Sequence, residues 1–438
     1  MRFRSILGQS PVVGFREALF RGLAPDGSLY IPEFIPALRL SLKSAGDAHR
    51  LPELAAEVIS EFVDDIPREE IRAMTERSFS FPIPLIRLEQ NLFLLELFHG
   101  PTLAFKDVGA RFMARALSYF LATQEQHLTI AVATSGDTGS AVAHGFFNVP
   151  NISVFVFYPS GKISKLQEQQ MTTLGGNIHA IEVEGTFDDC QHLVKRALAD
   201  HELVRQTNLT TANSINLGRL LPQVTYYVWA ALLYKQMMGE AAHAGPGPAI
   251  AVPSGNFGNL TAATYAKRMG SPIAGFLSAS NANNVVPEYF STGAFNPRPS
   301  LQTYSNAMDV GNPSNFARLL ALYDNDRANL RRDITAMSIS DEETVTEMRR
   351  TYDRCGYVLD PHTAVGVAAA RQGHSSGTPV LPTIVAATAH PAKFPEVVFK
   401  ALGKSVPLPP QLAEAMSHTK KSVRISADYG RVRELLGS

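Results

Sequence analysis

The 438 residues suffice for two or three domains with a sizeable core. With 45% hydrophobic and 18% charged residues, the composition is that of a globular protein and excludes a disordered chain. Lys plus Arg and Asp plus Glu number 40 each, so the basic excess of a nucleic-acid-binding surface is absent, and no basic run supplies it locally.

Cys190 and Cys355 lie far apart and carry no metal-ligand spacing, so reduced thiols and no metal site are expected. Met1-Arg2-Phe3-Arg4-Ser5 leads into no long apolar core, which argues against a signal peptide and for a cytoplasmic protein. The most apolar stretch, 220–233, is interrupted by Pro222, Gln223 and Thr225 and reads as a buried helix, not a membrane span.

Along the chain, residues 1–90 hold helical stretches at 51–62 and 68–79 joined by proline-containing turns. They read as an N-terminal subdomain. A strand–turn–helix unit then recurs. Strands are predicted at 128–133, 152–157, 178–183, 249–252, 273–277 and 383–387, with helices at 140–147, 187–199, 260–268 and 364–371 among them. Residues 245–248, Gly-Pro-Gly-Pro, read as a connection, 341–355 as a charged amphipathic helix, and the tail beyond 408 as a short helix and strand. Short apolar strands alternating with helices indicate α/β sheets covered on both faces, and ligands bind at the carboxyl ends of such strands.

Lys106 follows the apolar turn Leu97-Phe98-His99-Gly100-Pro101-Thr102-Leu103-Ala104-Phe105. Desolvation there would lower its proton affinity and make it a nucleophile suited to a Schiff base with an aldehyde cofactor, although most lysines are solvated surface charges. Gly255-Asn256-Phe257-Gly258-Asn259 sits between a strand and a helix. Its backbone N–H groups and the helix N-terminus suit a phosphate, and the same residues read equally as a tight turn with a capping Asn. It lacks the Gly-Lys-Ser/Thr ending of an ATP-binding loop.

Thr134-Ser135-Gly136-Asp137-Thr138-Gly139 is a second such loop, offering hydroxyls and N–H groups to a small carboxylate or simply starting a helix. Ser160-Gly161-Lys162-Ile163-Ser164-Lys165 is a third, with two lysines for another anion or for solvent. After the last strand, Thr388 offers a hydroxyl to a ring nitrogen, while His390 beside a proline reads as structural. Asp360-Pro361-His362-Thr363 reads as a plain helix start.

Together these motifs resemble those of the threonine synthases, pyridoxal-phosphate enzymes of the tryptophan-synthase-β fold type. The resemblance rests on His99 through Asp107, on the two glycine loops at 134–140 and 255–259, on Asn213-Ser214-Ile215-Asn216-Leu217-Gly218-Arg219, on 388–394, and on the early Gly22-Leu23-Ala24-Pro25-Asp26-Gly27. It runs from that early segment to about residue 400 and points to the bacterial and fungal branch.

The resemblance implies a fold type II enzyme with two open twisted α/β domains. The units would be 1–90, the N-terminal helical subdomain; 91–215, a small domain with the cofactor lysine and carboxylate loop; and 216–438, a large domain with the phosphate cup. It implies that Lys106 holds pyridoxal 5′-phosphate as a Schiff base, that Gly255, Asn256, Phe257, Gly258 and Asn259 cup its phosphate, and that Thr388 faces its ring nitrogen.

Thr134, Ser135 and Thr138 would hold the substrate α-carboxylate, and Lys162, Ser164, Asn213 and Arg219 its phosphate. Asp137 stands where relatives of this fold type carry Asn beside the cofactor 3′-oxygen. A carboxylate there would repel a phenolate, so either a proton is shared or Asp137 points elsewhere.

The implied reaction is conversion of O-phospho-L-homoserine and water to L-threonine and phosphate, in a monomer or homodimer with no nucleic acid or membrane partner. Two alternatives share these residues: a phospholyase or dehydratase on the same scaffold, and a non-catalytic cofactor-binding protein.

Overall fold

The expected apolar runs form two sheets in the computed structural model, which describes residues 1–38, 51–122, 126–239, 245–375 and 381–437. In chain order the strands are β1 (Phe3–Ser5), β2 (Tyr30–Pro32), β3 (Leu85–Glu89), β4 (Leu92–Glu96), β5 (Leu128–Ala133), β6 (Ile152–Pro159) and β7 (Ile178–Glu184). There follow β8 (Leu209–Thr211), β9 (Ala249–Pro253), β10 (Phe276–Ser280), β11 (Ile334–Ser338), β12 (Thr383–Ala387) and β13 (Val423–Ser426).

One sheet has six strands in the order β11-β10-β9-β12-β4-β3, the other five in the order β13-β7-β6-β5-β8. Within these two sheets all neighbours are parallel except β3 against β4, and β1 pairs antiparallel with β2 apart from them. Every residue of β5 and of β12 is buried, as strands covered on both faces require. The helix Leu217–Met238 fills the interior, packed on the helices Lys106–Leu121 and Gly258–Arg268. It carries Pro222 within it, which removes one ladder donor near its start.

The early helices form at Leu51–Ser60 and Arg68–Ser78, and Phe62 stacks on Tyr265 at 6.0 Å between centroids. The sheets do not follow continuous stretches of chain. β4, within 91–215, pairs in the six-stranded sheet, and β13, within 216–438, pairs in the five-stranded sheet.

Two boundaries differ from expectation for local reasons. The strand expected at 273–277 begins at Phe276, because residues before it turn on themselves, with Ile273 N donating to Ser271 O at 2.8 Å. The helix expected from 140 begins at Asp137, which brings its first-turn N–H groups into the loop after β5.

Candidate active site

One cleft gathers the loops that follow β4, β5, β8, β9 and β12, at the carboxyl ends of both sheets. Lys106 opens the helix Lys106–Leu121 and lines the cleft. Its approach is fixed from several sides. Phe105 N donates to Thr388 O at 2.9 Å and His390 N to Leu103 O at 3.1 Å. Tyr226 OH donates to Phe105 O at 2.5 Å, and Asp107 accepts from Thr102 N at 2.9 Å.

Leu103 is held in the left-handed region at φ 57°, a conformation costly for a non-glycine residue and found where a chain is tightly constrained. Burial lowers the Lys106 ammonium; Asp137 opposes that, Arg219 and Lys393 reinforce it, and the result is a pKa of about 8.

In the loop after β5, Thr134 Oγ1 accepts from Gly136 N at 2.9 Å and Gly139 N at 2.8 Å, shaping the turn. Gly136 has φ 130°, and a Cβ there would lie 2.4 Å from Gln167 Cδ, so only glycine fits. Ser135 and Thr138 line the cleft with half-buried side chains.

Asp137 is buried, and its Oδ1 meets Lys393 Nζ at 2.6 Å and accepts from Gln167 Nε2 at 3.0 Å. Burial alone would raise this carboxyl. Lys393, with Lys106 and His362 behind it, prevails and holds it well below the usual carboxylate range. One Asp137 oxygen is thus engaged by both Lys393 and Gln167.

The loop after β9 ends in the helix Gly258–Arg268, with Phe257 in the left-handed region at φ 64°. Asn256 Nδ2 donates to Ser214 Oγ at 2.7 Å, and Asn256 Oδ1 accepts from Ser314 N at 2.6 Å. Asn259 Oδ1 accepts from Tyr227 OH at 2.6 Å. Its Nδ2 is buried with no protein partner among the described residues. A Cβ on Gly255 would lie 2.7 Å from Met308 Cα, so the 305–310 segment can roof the cleft only because that Cβ is absent. Thr388, at the end of β12, also lines the cleft.

The four residues expected to hold a second phosphate separate. Arg219 lines the cleft, is 1% exposed, and donates from Nη1 to Ala212 O at 2.6 Å. Its Nε is unpartnered, and no carboxylate lies within ion-pair distance among the described residues. Burial lowers its pKa to about 10. Asn213 borders the cleft, but its amide is committed: Nδ2 donates to Ala133 O at 2.7 Å and Oδ1 accepts from Ala133 N at 3.2 Å.

Lys162 is exposed and Ser164 caps the helix Lys165–Thr172 in a reciprocal capping box with Gln167; neither lines the cleft.

Further residues join the cleft that the sequence did not single out. Gln223, one turn beyond Arg219, donates to Arg219 O at 2.8 Å and leaves Oε1 buried and unpartnered. His362, read from sequence as part of a helix start, is 2% exposed and lines the cleft. Its Nε2 accepts from Ala307 N at 3.1 Å, which places the ring proton on Nδ1 toward Asp360 Oδ1 at 2.9 Å. Phe187, Gln191 and Met308 complete the walls. Helix spacing could have found Gln223; nothing local marks the others.

Comparisons with known proteins agree across the chain. Residues 79–385 match the family described as "Pyridoxal-phosphate dependent enzyme", 2–79 match "Threonine synthase N terminus" and 363–436 match "Threonine synthase, C-terminal". The chain is 41% identical to the threonine synthase of Haemophilus influenzae, covering 97% of this chain and 96% of that one. It is 39% identical to that of Escherichia coli, covering 100% and 99%.

Its fold matches the crystal structure of the Escherichia coli threonine synthase with a TM-score of 0.92 at 38% identity, covering 100% and 99%. It matches a PLP-bound threonine synthase from Brucella melitensis with a TM-score of 0.90 at 36% identity, also covering 100% and 99%. More distant structures, such as a maize serine racemase at 16% identity and a TM-score of 0.52, over 81% of this chain and 94% of that one, share the fold type alone. The chain belongs to the threonine synthase family of pyridoxal-phosphate dependent enzymes.

Proposed function

We propose that the cleft converts O-phospho-L-homoserine and water to L-threonine and phosphate, by loss of phosphate from Cγ and addition of water at Cβ. The residues present fit pyridoxal phosphate: a lysine with a pKa of about 8, a glycine cradle that a Cβ at Gly255 would fill, and an orphaned buried Asn259 Nδ2. When bound, that cofactor supplies an electron sink for negative charge developing on the substrate carbons.

Lys106 would hold it covalently, and Gly255, Asn256, Phe257, Gly258 and Asn259 would hold its phosphate at the helix N-terminus. Thr388 would face the ring nitrogen with a neutral hydroxyl, which does not stabilise a protonated ring as a carboxylate would. Thr134, Ser135 and Thr138 would bind the substrate α-carboxylate with hydroxyls and first-turn N–H groups.

Once free, the Lys106 amine removes the proton at Cα and returns it at the end, and its lowered pKa suits both directions near neutrality. Arg219 would neutralise the phosphate leaving Cγ. The observation that carries this reading is the buried Arg219, which lines the same cleft as Lys106 and the glycine cup with no carboxylate in ion-pair distance among the described residues. A cleft with two anion-receiving positions suits a phosphorylated substrate as well as a phosphorylated cofactor.

Of the other three phosphate candidates, Asn213 is at hand but already engaged, and Lys162 and Ser164 would have to reach in from outside the cleft lining.

Among the described residues no helix is long and apolar enough to cross a membrane. Balanced charge and two free cysteines support a cytoplasmic setting without a nucleic-acid partner, and a monomer or homodimer remains the proposed assembly. Product identification with O-phospho-L-homoserine tests the reading.

A further inference from the structure

Lys393 is 0% exposed, and a buried ammonium is costly unless its environment answers it. Here Nζ donates to Thr102 O at 2.9 Å and pairs with Asp137 Oδ1 at 2.6 Å. Thr102 O also accepts from Gln170 Nε2 at 3.2 Å, and Gln167 joins the same Asp137 oxygen from the other side at 3.0 Å.

Gln167 Oε1 in turn accepts from Asn306 Nδ2 at 3.2 Å. The network therefore ties the lysine loop, the loop after β5, the helix Lys165–Thr172, the cleft roof and the segment after β12 to a single carboxylate. Among the described residues, Asp137 Oδ2 takes no protein donor.

Asp137 lines the cleft that holds Lys106, and the two attract each other. An unengaged buried carboxylate at that place would draw the Lys106 ammonium into a direct ion pair and keep the amine protonated. We propose that Lys393 is a positioning residue: by pairing with Asp137 Oδ1 it offsets the pull of that carboxylate on Lys106 and leaves the Lys106 amine free to attack an aldehyde. The inference rests on the proposed function only in taking pyridoxal phosphate as that aldehyde. In the attack, the amine lone pair forms the carbon–nitrogen bond, and the carbonyl oxygen departs as water with the two amine protons.

The charges facing each partner are few. Lys106 faces Asp137, Arg219 and Lys393; Asp137 faces Lys393, Lys106 and His362. Lys393 also faces Asp107, His144 and His390. Asp137 raises the proton affinity of Lys106 while Lys393 lowers it, in the sense the geometry requires.

The test strips the chain of cofactor and follows the growth of bound-cofactor absorbance on adding pyridoxal phosphate, at pH values on either side of 8. Lys393→Met should move the midpoint to higher pH and slow uptake near neutrality by about tenfold, the effect of one unit of proton affinity. Lys393→Arg should keep the parent midpoint.

Asp137→Asn, which retains an acceptor for Lys393 and Gln167 and guards against misfolding of the first variant, should move the midpoint to lower pH. Parent midpoints in both Lys393→Met and Asp137→Asn would overturn the proposal. Failure of the parent chain itself to take up cofactor would instead overturn the proposed function, and this inference with it.

Discussion

Asp188 Oδ2 accepts two hydrogen bonds from Ser300, from its backbone N at 3.0 Å and from its Oγ at 2.9 Å. Asp188 stands at the start of the helix Phe187–Ala199 after β7, and Ser300 lies in the segment that leads into the cleft roof. The pair therefore clasps the five-stranded side to the six-stranded side, alongside the Asn306–Gln167 bond at 3.2 Å. With the Lys393–Asp137 and Gln170–Thr102 contacts these bonds close the cleft, and closure controls the access of water.

Asp188→Ala removes both bonds of the clasp. Net losses of about 1 kcal/mol per hydrogen bond imply a KM for O-phospho-L-homoserine raised roughly tenfold or more, with cofactor affinity near that of the parent. Steady-state kinetics beside a cofactor titration would check this, and an unchanged KM would deny the clasp a part in substrate binding.

Lys106→Ala should abolish turnover and the absorbance of covalently held cofactor. Spectra of the purified variant with added pyridoxal phosphate provide the check, and normal catalysis by the variant would remove Lys106 from the chemistry.

Arg219→Ala should weaken handling of the phosphorylated substrate while cofactor stays bound. Loss of a buried charge-assisted contact of about 1.5–3 kcal/mol predicts kcat/KM lower by roughly tenfold to a hundredfold. Loss of cofactor absorbance would instead assign the guanidinium to the cofactor phosphate.

Gly255→Ala places a Cβ 2.7 Å from Met308 Cα, where a backbone and not a flexible side chain must yield. Overpacking of about 1–3 kcal/mol should lower cofactor affinity roughly tenfold. A fluorescence titration with pyridoxal phosphate would show it.

Capture of cofactor by the stripped protein should depend on pH through Lys106. Burial lowers its pKa to about 8, so the reactive free amine predominates above that value and is lost as pH falls below it. A midpoint near that of an ordinary exposed lysine would show that the amine is not desolvated.

The parts of the fold that were legible in the sequence are those with long, one-sided signals. β5, β9 and β12 are apolar runs, the first two ending in glycine loops and the third in Thr388, and those segments line the cleft as expected. β1, β2 and β8 span three residues each, too short for a periodic pattern, and exist because partners from elsewhere in the chain complete them.

Ser164 shows a signal that pointed to structure: Ser followed three residues later by Gln is a capping box, and its hydroxyl serves the helix it begins. The neighbouring lysines made the same segment look like an anion loop. Lys393 shows the opposite limit. Nothing beside it in sequence reveals that it is buried against Asp137, because the pairing depends on how two sheets meet.

The most direct measurement is incubation of the purified protein with pyridoxal phosphate and O-phospho-L-homoserine, followed by identification of the carbon product beside the released phosphate. L-threonine in equal amount to phosphate is the expected result. Phosphate accompanied by 2-oxobutyrate would make the enzyme a lyase that fails to add water at Cβ, and absence of phosphate would contradict the proposed substrate.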